Sequence, residues 1–383
     1  MSHLGRSALT ERVRTADRLD ARAAAEWQHL VSGRPAMRLE VLETMADTAA
    51  TPLTLRYFLL EDGAQALLGA AVGQLAVTAA EHNALDTLLY GRAKRAARAA
   101  GLSTSPVMMI ATPIGQEPGI VVRGTDPEHA DAVRDELLDG VEEYAAAAAL
   151  GIAFLRVPAA DELLLAALRG RGYRETEVLP VAQLDIEWMD FDGYVRFLRK
   201  RSKSAAQTAR NERNRFRRSG IIIRQVATRA IDVQALHTLA RDHYQFKNRT
   251  EPREGPQFLP RALRALGDDA LVFEAVRDGR RVGMIAVVRS GTVGWVTWFG
   301  IELSERNRDF IYANLCYYHL AESAPALGLK TLLYGNGALD AKRRRGCRIS
   351  VTHLFYRPHR RVLRWAATPY FAAHRAWYRR KLQ

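Results

Sequence analysis

The chain has 383 residues, 48% of them hydrophobic, and carries 56 Lys and Arg against 42 Asp and Glu, a formal net charge of +14. Its length exceeds what one hydrophobic core usually serves, so two domains are expected. Cys316 and Cys347 are the only cysteines, which excludes a disulfide framework and a cysteine-based metal site; no apolar run reaches the ~20 residues of a membrane span, and MSHLGRSALTERVRTADRLD lacks the apolar core of a signal peptide, so a soluble cytoplasmic protein is expected.

In chain order, residues 1–45 read as Arg- and Ala-rich helix. Strand-like runs follow at 53–60 (LTLRYFLL), 66–77 (ALLGAAVGQLAV) and 107–115 (VMMIATPIG). An Ala-rich helix over 129–151 then leads into a short strand, IAFLRV, at 152–157. Asp126 and Pro127 stand where an N-cap and a first helical turn belong. The second half repeats this order: a strand at 221–226, a helix around 231–245, a hairpin of 271–279 with 280–291 that turns at Asp278-Gly279, a strand at 293–301, a helix over 310–328 and a strand at 329–335. Two local matches support an internal duplication. Leu150-Gly151-Ile152 parallels Leu327-Gly328-Leu329, and Arg171-Gly172-Tyr173-Arg174 parallels Arg345-Gly346-Cys347-Arg348.

Charge is divided unevenly between the halves. Residues 1–190 hold 18 basic and 27 acidic side chains, a net of −9, whereas residues 191–383 hold 38 and 15, a net of +23. Two segments dominate the basic half. The stretch RKRSKSAAQTARNERNRFRRSG (199–220) has nine Lys or Arg and a single acid, Glu212, and residues 341–383 have 13 and none. A field of one sign on that scale favours a polyanion, whether nucleic acid, anionic lipid or a phosphorylated ligand.

The order of strand, helix, meander, loop, helix and strand, closed by a basic turn ending in Gly, resembles the GNAT acyltransferase fold in tandem. This implies an α/β fold of two GNAT-like domains, each a mixed twisted sheet flanked by helices: residues 1–190, a basic connecting helix at 191–220, and residues 221–383. The FDGYVRFLRKRSK…RNERNRFRRSGIII run (191–223) and the YGNGALDAKRRRG run (334–346) resemble the branch that contains the Fem-type aminoacyl-tRNA-dependent ligases, in which a Lys precedes a Gly by a few residues after the last core strand. A GNAT domain that uses acetyl-CoA normally offers a Gly-rich loop whose N–H groups receive the pyrophosphate. The second copy instead offers residues 302–309, with three acids and no glycine, and in the first copy Pro118 removes a donor from Gly115-Gln116-Glu117-Pro118-Gly119, which reads as a hairpin turn. The resemblance therefore implies a charged tRNA as acyl donor and no cofactor. Acetyl-CoA or another acyl-CoA remains the alternative.

On a single helix over 199–218, Arg199, Lys203, Arg210, Arg213 and Arg217 share one arc beside an apolar stripe of Ala205, Ala209 and Phe216. With Arg343, Arg344 and Arg345 they are the candidate tRNA contacts; a merely solvated face is the competing reading. The tail interleaves cations with Phe355, Tyr356, Trp365, Tyr370, Phe371, Trp377 and Tyr378. These rings suit stacking on unpaired bases, anchoring of a terminal helix, or weak contact with an anionic membrane.

No nucleophile elbow, HExxH, CxxC or Walker loop occurs. Aminoacyl transfer needs few catalytic groups, because the ester is already activated and positioning supplies most of the acceleration. The resemblance puts Lys342 at the Fem-type lysine, supporting charge at the ester. Asp340 and Glu274 are candidate acceptors of the amine proton, and Trp298, Tyr312, Tyr334 and Asn336 are candidate pocket residues. The sequence thus reads as an aminoacyltransferase that joins a tRNA-borne amino acid to an amine of a small molecule or cell-wall-type acceptor; an acyl-CoA N-acyltransferase and a non-catalytic RNA-binding scaffold are the alternatives.

Overall fold

The computed structural model describes residues 13–48, 53–77, 84–112, 117–124, 126–249, 257–359, 370–376 and 378. The chain forms two compact units. Unit 1 takes residues 1–47, 51–178 and 351–383, and unit 2 takes 48–50 and 179–350. Residues 179–190 thus belong with the second unit, as do 341–350, whereas 351–383 belong with the first.

Unit 1 runs through β1 (Arg14–Ala16), α1 (Ala21–Leu30), α2 (Leu39–Thr48), β2 (Thr54–Glu61), β3 (Leu67–Ala76), α3 (Ala84–Tyr90), α4 (Lys94–Ala99), β4 (Val107–Ile110), β5 (Ile120–Val122), α5 (Pro127–Ala147), β6 (Gly151–Pro158), α6 (Glu162–Gly170) and the first part of β7 (Arg174–Asp185). Unit 2 continues with α7 (Phe191–Arg201), α8 (Lys203–Arg218), β8 (Ile222–Val226), α9 (Val233–Asn248), α10 (Phe258–Leu266), β9 (Ala270–Arg277), β10 (Arg280–Ser290) and β11 (Val293–Ile301). A helical stretch follows, made of α11 (Ile311–Ala313), a π-helical turn over Asn314–Tyr318 and α12 (His319–Ser323); then come β12 (Thr331–Tyr334), α13 (Leu339–Arg344) and β13 (Arg348–Arg357), along which the chain returns to unit 1.

Both units pair their strands in one pattern. In unit 1, β1, β2, β3 and β4 form an antiparallel meander, β4 pairs parallel with β6, and β6 pairs antiparallel with β13. In unit 2, β8, β9, β10 and β11 form the meander, β11 pairs parallel with β12, and β12 pairs antiparallel with β7. This bears out the expected mixed α/β architecture of strands flanked by helices. The strands of each unit pack on that unit's own core, one centred on Phe58, Leu137 and Phe154, the other on Phe273, Ile285 and Tyr317.

Local signals held where a cap or turn defined them. Asp126 accepts from the Glu128 amide with Pro127 in the first turn of α5, and Asp278 (φ 50°) with Gly279 (φ 75°) makes the left-handed pair that a two-residue hairpin needs. The second repeat match holds as well: the Tyr173 amide reaches back to Leu168 O and the Cys347 amide to Lys342 O, across glycines with φ of 77° and 86°. The first match is displaced by two residues. Leu150 N donates to Ala145 O and Leu329 N to Ala324 O, so the left-handed Ala149 corresponds to Gly328.

Among the described residues, 13–45 hold a strand as well as the helices α1 and the start of α2 rather than helix alone, and 199–218 is not one helix. Ser202 is extended (φ −160°, ψ 119°); it ends α7 and caps α8, its Oγ accepting from the Ala205 amide. Arg199 therefore lies on a different axis from Lys203, Arg210, Arg213 and Arg217.

Candidate active site

The parallel pairing of β11 with β12 ends at Val296 and Tyr334, but β11 runs on to Ile301. Where β12 has ended, the strands part and leave a cavity of about 470 Å³ in unit 2. A bulge prepares its floor. Ala286 faces Trp298 and Val287 faces Val296, so Thr297 is an extra residue whose hydroxyl donates to Ala286 O at 3.1 Å. Past this point no strand among the described residues covers the edge of β11 that β12 covered earlier, so main-chain groups there are left for a ligand.

Four elements furnish the cavity: Trp298 on β11, Tyr312 on α11, Tyr334 at the end of β12 with Asn336 beyond it, and Lys342 on α13. These five residues line one cavity. Tyr312 and Tyr317 hydroxyls lie 3.3 Å apart, Tyr317 stacks on Tyr334 at 5.0 Å, and the Tyr334 hydroxyl donates to Cys316 O at 3.1 Å. Burial pushes the Tyr312 hydroxyl up to about 12 and Tyr334 well above its ordinary value, so both stay protonated and act as donors.

Lys342 is 6% exposed, and its Nζ donates to Gly335 O. Burial, helped by the Lys247 charge, lowers its pKa from 10.5 to about 8. An ammonium so poised can donate to a developing oxyanion or protonate a leaving oxygen. The corresponding residue of unit 1, by the repeat of the Gly172 and Gly346 turns, is Leu168, fully buried in that unit's core.

Asp340 and Glu274 lie outside the cavity. The Asp340 side chain is 84% exposed on the outer side of α13 and pairs with Arg343 at 3.0 Å. Glu274 is 1% exposed on β9, accepting from Arg281 at 2.6 Å and Arg224 at 3.3 Å from the flanking strands, so it is structural. The residue the sequence reading missed is His243, on α9. Its ring lies edge-on to Phe299 at 4.7 Å, burial lowers its pKa to about 4, and its buried Nδ1 has no partner. Neutral His243 offers the cavity an acceptor. The available signal was the α9 inner face, where Ala240, His243, Tyr244 and Lys247 occupy helical spacing that a purely structural helix would fill with aliphatic residues.

A second cavity of about 570 Å³ lies at the α7–α8 break, lined by Arg201, Ser202, Ser204, Thr208, Arg343 and Arg344. At its wall Glu212 accepts from the Tyr318 hydroxyl and, at 3.4 Å, from Arg345. α13 serves both cavities: Lys342 faces the first, and Arg343 and Arg344 line the second. Arg199, Lys203, Arg210 and Arg217 are exposed. Arg213 and Arg345 are not free phosphate contacts. Arg213 is 9% exposed and paired with Glu322, and Arg345 lies over the Tyr317 ring at 4.8 Å. In the tail, Phe355, Tyr356 and Phe371 are buried in unit 1 and Tyr370 donates to Leu89 O, which is anchoring; Trp365 and Trp377 lie outside the described residues.

The loop 302–309 is occupied by its own charges. Arg277 joins Glu305 (2.7 Å) and Asp309, Arg280 joins Glu302, and the amides of Glu305, Arg306 and Arg308 bond within the loop. In the first copy Gly115 and Gln116 lie outside the described residues, and Glu117 is a buried carboxyl whose pKa is raised by burial. Among the described residues no cluster suited to a metal ion occurs, and no helix is long and apolar enough to cross a membrane.

Residues 203–343 match the family model of the acetyltransferase (GNAT) domain. No curated protein matches the sequence. Among solved structures, FemX is similar over 89% of this chain and 96% of its own, with 11% identity and a TM-score of 0.58. The C-terminal domain of a putative lysylphosphatidylglycerol synthetase from Agrobacterium fabrum is similar over 91% and 95%, with 12% identity and a TM-score of 0.55. L-PGS from Bacillus licheniformis is similar over 92% and 97%, with 12% identity and a TM-score of 0.53.

Proposed function

Since the chain carries a GNAT-type acetyltransferase domain within a fold that fits the Fem-like branch, we propose that it is an aminoacyl-tRNA-dependent aminoacyltransferase that forms an amide in the unit 2 cavity. One observation carries this reading: α13 places Lys342 in the aromatic cavity while Arg343 and Arg344, its next two residues, line the basic cavity. A tRNA end whose phosphates engage the basic cavity brings its ester within a turn of helix of Lys342. The acceptor amine, once deprotonated, adds to the ester carbonyl; the C–N bond forms as the C–O bond to the ribose breaks, and the amine's proton leaves by way of solvent while Lys342 protonates the departing ribose oxygen and is itself reprotonated. Neutral His243 orients the incoming amine by accepting from it. Tyr312 and main-chain N–H groups of β11 beyond Val296 are positioned to serve the carbonyl oxygen.

Transfer from charged tRNA to a panel of amines, abolished by RNase, tests the reading; transfer that survives RNase and requires acyl-CoA overturns it. Binding of tRNA should fall with salt, log K against log[salt] having a slope near −3.5 to −4.5 if about five phosphates are neutralised. A flat response removes tRNA as the partner. Acetyl-CoA should not bind measurably in a calorimetric titration, because loop 302–309 presents the carboxylates of Glu305 and Asp309, which hold Arg277 of β9, and Glu305 also engages Arg308 of the loop. Sub-millimolar affinity would favour the acyl-CoA route.

A further inference from the structure

The lining of the unit 2 cavity is unbalanced in charge. Lys247, Lys342 and Arg241 all face it, and among the described residues no Asp or Glu does. Arg241 is engaged by its neighbour Asp242 at 2.9 Å. The two lysines have no carboxylate partner among the described ion pairs, and they converge on one turn. Lys342 Nζ donates to Gly335 O, and Lys247 Nζ lies over Gly337 so closely that a Cβ there would sit 3.0 Å from it. Gly337 leaves the room that lets the second ammonium approach. The same cavity carries aryl side chains, Phe258 lying edge-on to Trp298 at 5.9 Å, with Phe299 also in its lining.

Two ammonium groups held at one glycine turn, with no acid among the described lining residues and with aryl side chains in the same cavity, complement an anion attached to an apolar body. They repel a cation. We propose that the cavity selects its amine acceptor by a carboxylate that the acceptor carries, bound between Lys247 and Lys342 with the acceptor's apolar part against Phe258, Trp298 and Phe299. The word acceptor rests on the transfer reading above; the charge selection does not. A lysyl or arginyl side chain is excluded from this cavity by the same arrangement.

The test compares three probes of one shape by NMR titration of the full chain: 3-phenylpropanoate, 3-phenylpropanamide and 3-phenylpropylamine. The acid should bind at least about tenfold more tightly than the amide, the size of one charge-assisted contact, and the amine should be weakest. Lys247→Gln, at an exposed position and with native thermal unfolding verified first, should remove about tenfold from the acid and leave the amide unchanged. Equal binding of all three, no detectable binding of the acid, preference for the amine, or an unaltered order in Lys247→Gln would each overturn the proposal. No tRNA is present in these titrations, so their failure leaves the transfer reading standing, and RNase-insensitive transfer would leave the charge selection standing.

Discussion

Lys342→Met should lower kcat for aminoacyl transfer by one to three decades with tRNA affinity little changed, and it should do so without destabilising the fold at pH 7. The catalytic loss follows from the ammonium that faces the cavity, since a single donor to developing charge is worth about 10²–10³ in rate. The effect on stability follows from burial. The Lys342 pKa falls from 10.5 to about 8 in the folded chain, so at pH 7 the folded state holds a proton less willingly than the unfolded state does. Such a group costs on the order of 3 kcal/mol below pH 8, and the cost is relieved as pH rises from 8 towards 10.5, where the folded lysine is neutral and the unfolded one still charged. Methionine fills similar volume without that cost but leaves Gly335 O without its donor, so the net gain is smaller than the shift alone implies. Thermal unfolding at pH 7 and pH 9.5 measures this directly: the Met variant should match or exceed the wild type at pH 7, and its margin should shrink at pH 9.5. Wild-type turnover should likewise fall above about pH 8. A variant with normal kcat under saturating tRNA would remove Lys342 from the reaction.

The contrast between Lys342 and Asp340 explains how far the sequence could be read. Both lie in YGNGALDAKRRRG and were singled out together, yet α13 turns Lys342 into the cavity and Asp340 to solvent. Proximity in sequence does not give direction until the helix start is known, and Ala338, in a left-handed conformation with no capping side chain, gave no signal for it. Trp298, Tyr312, Tyr334 and Asn336 share one cavity because strand ends and helix starts around the split between β11 and β12 converge there. Glu274 lies elsewhere: Arg224 and Arg281 on the neighbouring strands hold it in a buried ion pair, and such partners become neighbours only when the register is fixed. His243 escaped notice because a lone histidine on an amphipathic helix looks the same whether its ring meets the core or a cavity. The break at Ser202 was legible in principle: a serine three residues before Ala205 is a capping residue, but the run of cations on either side obscured it.

Arg213→Ala should lower the unfolding temperature of unit 2 by roughly 5–15 °C, whereas Arg210→Ala and Arg217→Ala should leave it within a few degrees, although all three occupy one face of α8. The difference is burial. Arg213 is held in a pair with Glu322 and lies 5.4 Å from the Phe191 ring centre, and removing one partner of a buried pair costs about 3–5 kcal/mol at the upper end because the other charge is left behind. Glu322 is a third exposed, so solvent recovers part of that, and about 2–4 kcal/mol corresponds to the stated shift for a unit of this size. Arg210 and Arg217 are exposed, and surface charges of this kind contribute little to stability. Their effect belongs to binding: the double variant should raise the apparent KM for aminoacyl-tRNA and make the salt slope less steep by about 1–2, with kcat near wild type, since phosphate contacts are made equally in ground and transition states. Arg213→Lys provides the control for charge against geometry. If it restores the unfolding temperature only in part while tRNA affinity stays at the parent value, Arg213 orders α8 against α12 and has no share in the polyanion surface; if Arg213→Ala unfolds like the parent and loses tRNA affinity, the buried pair with Glu322 is not what holds the helix.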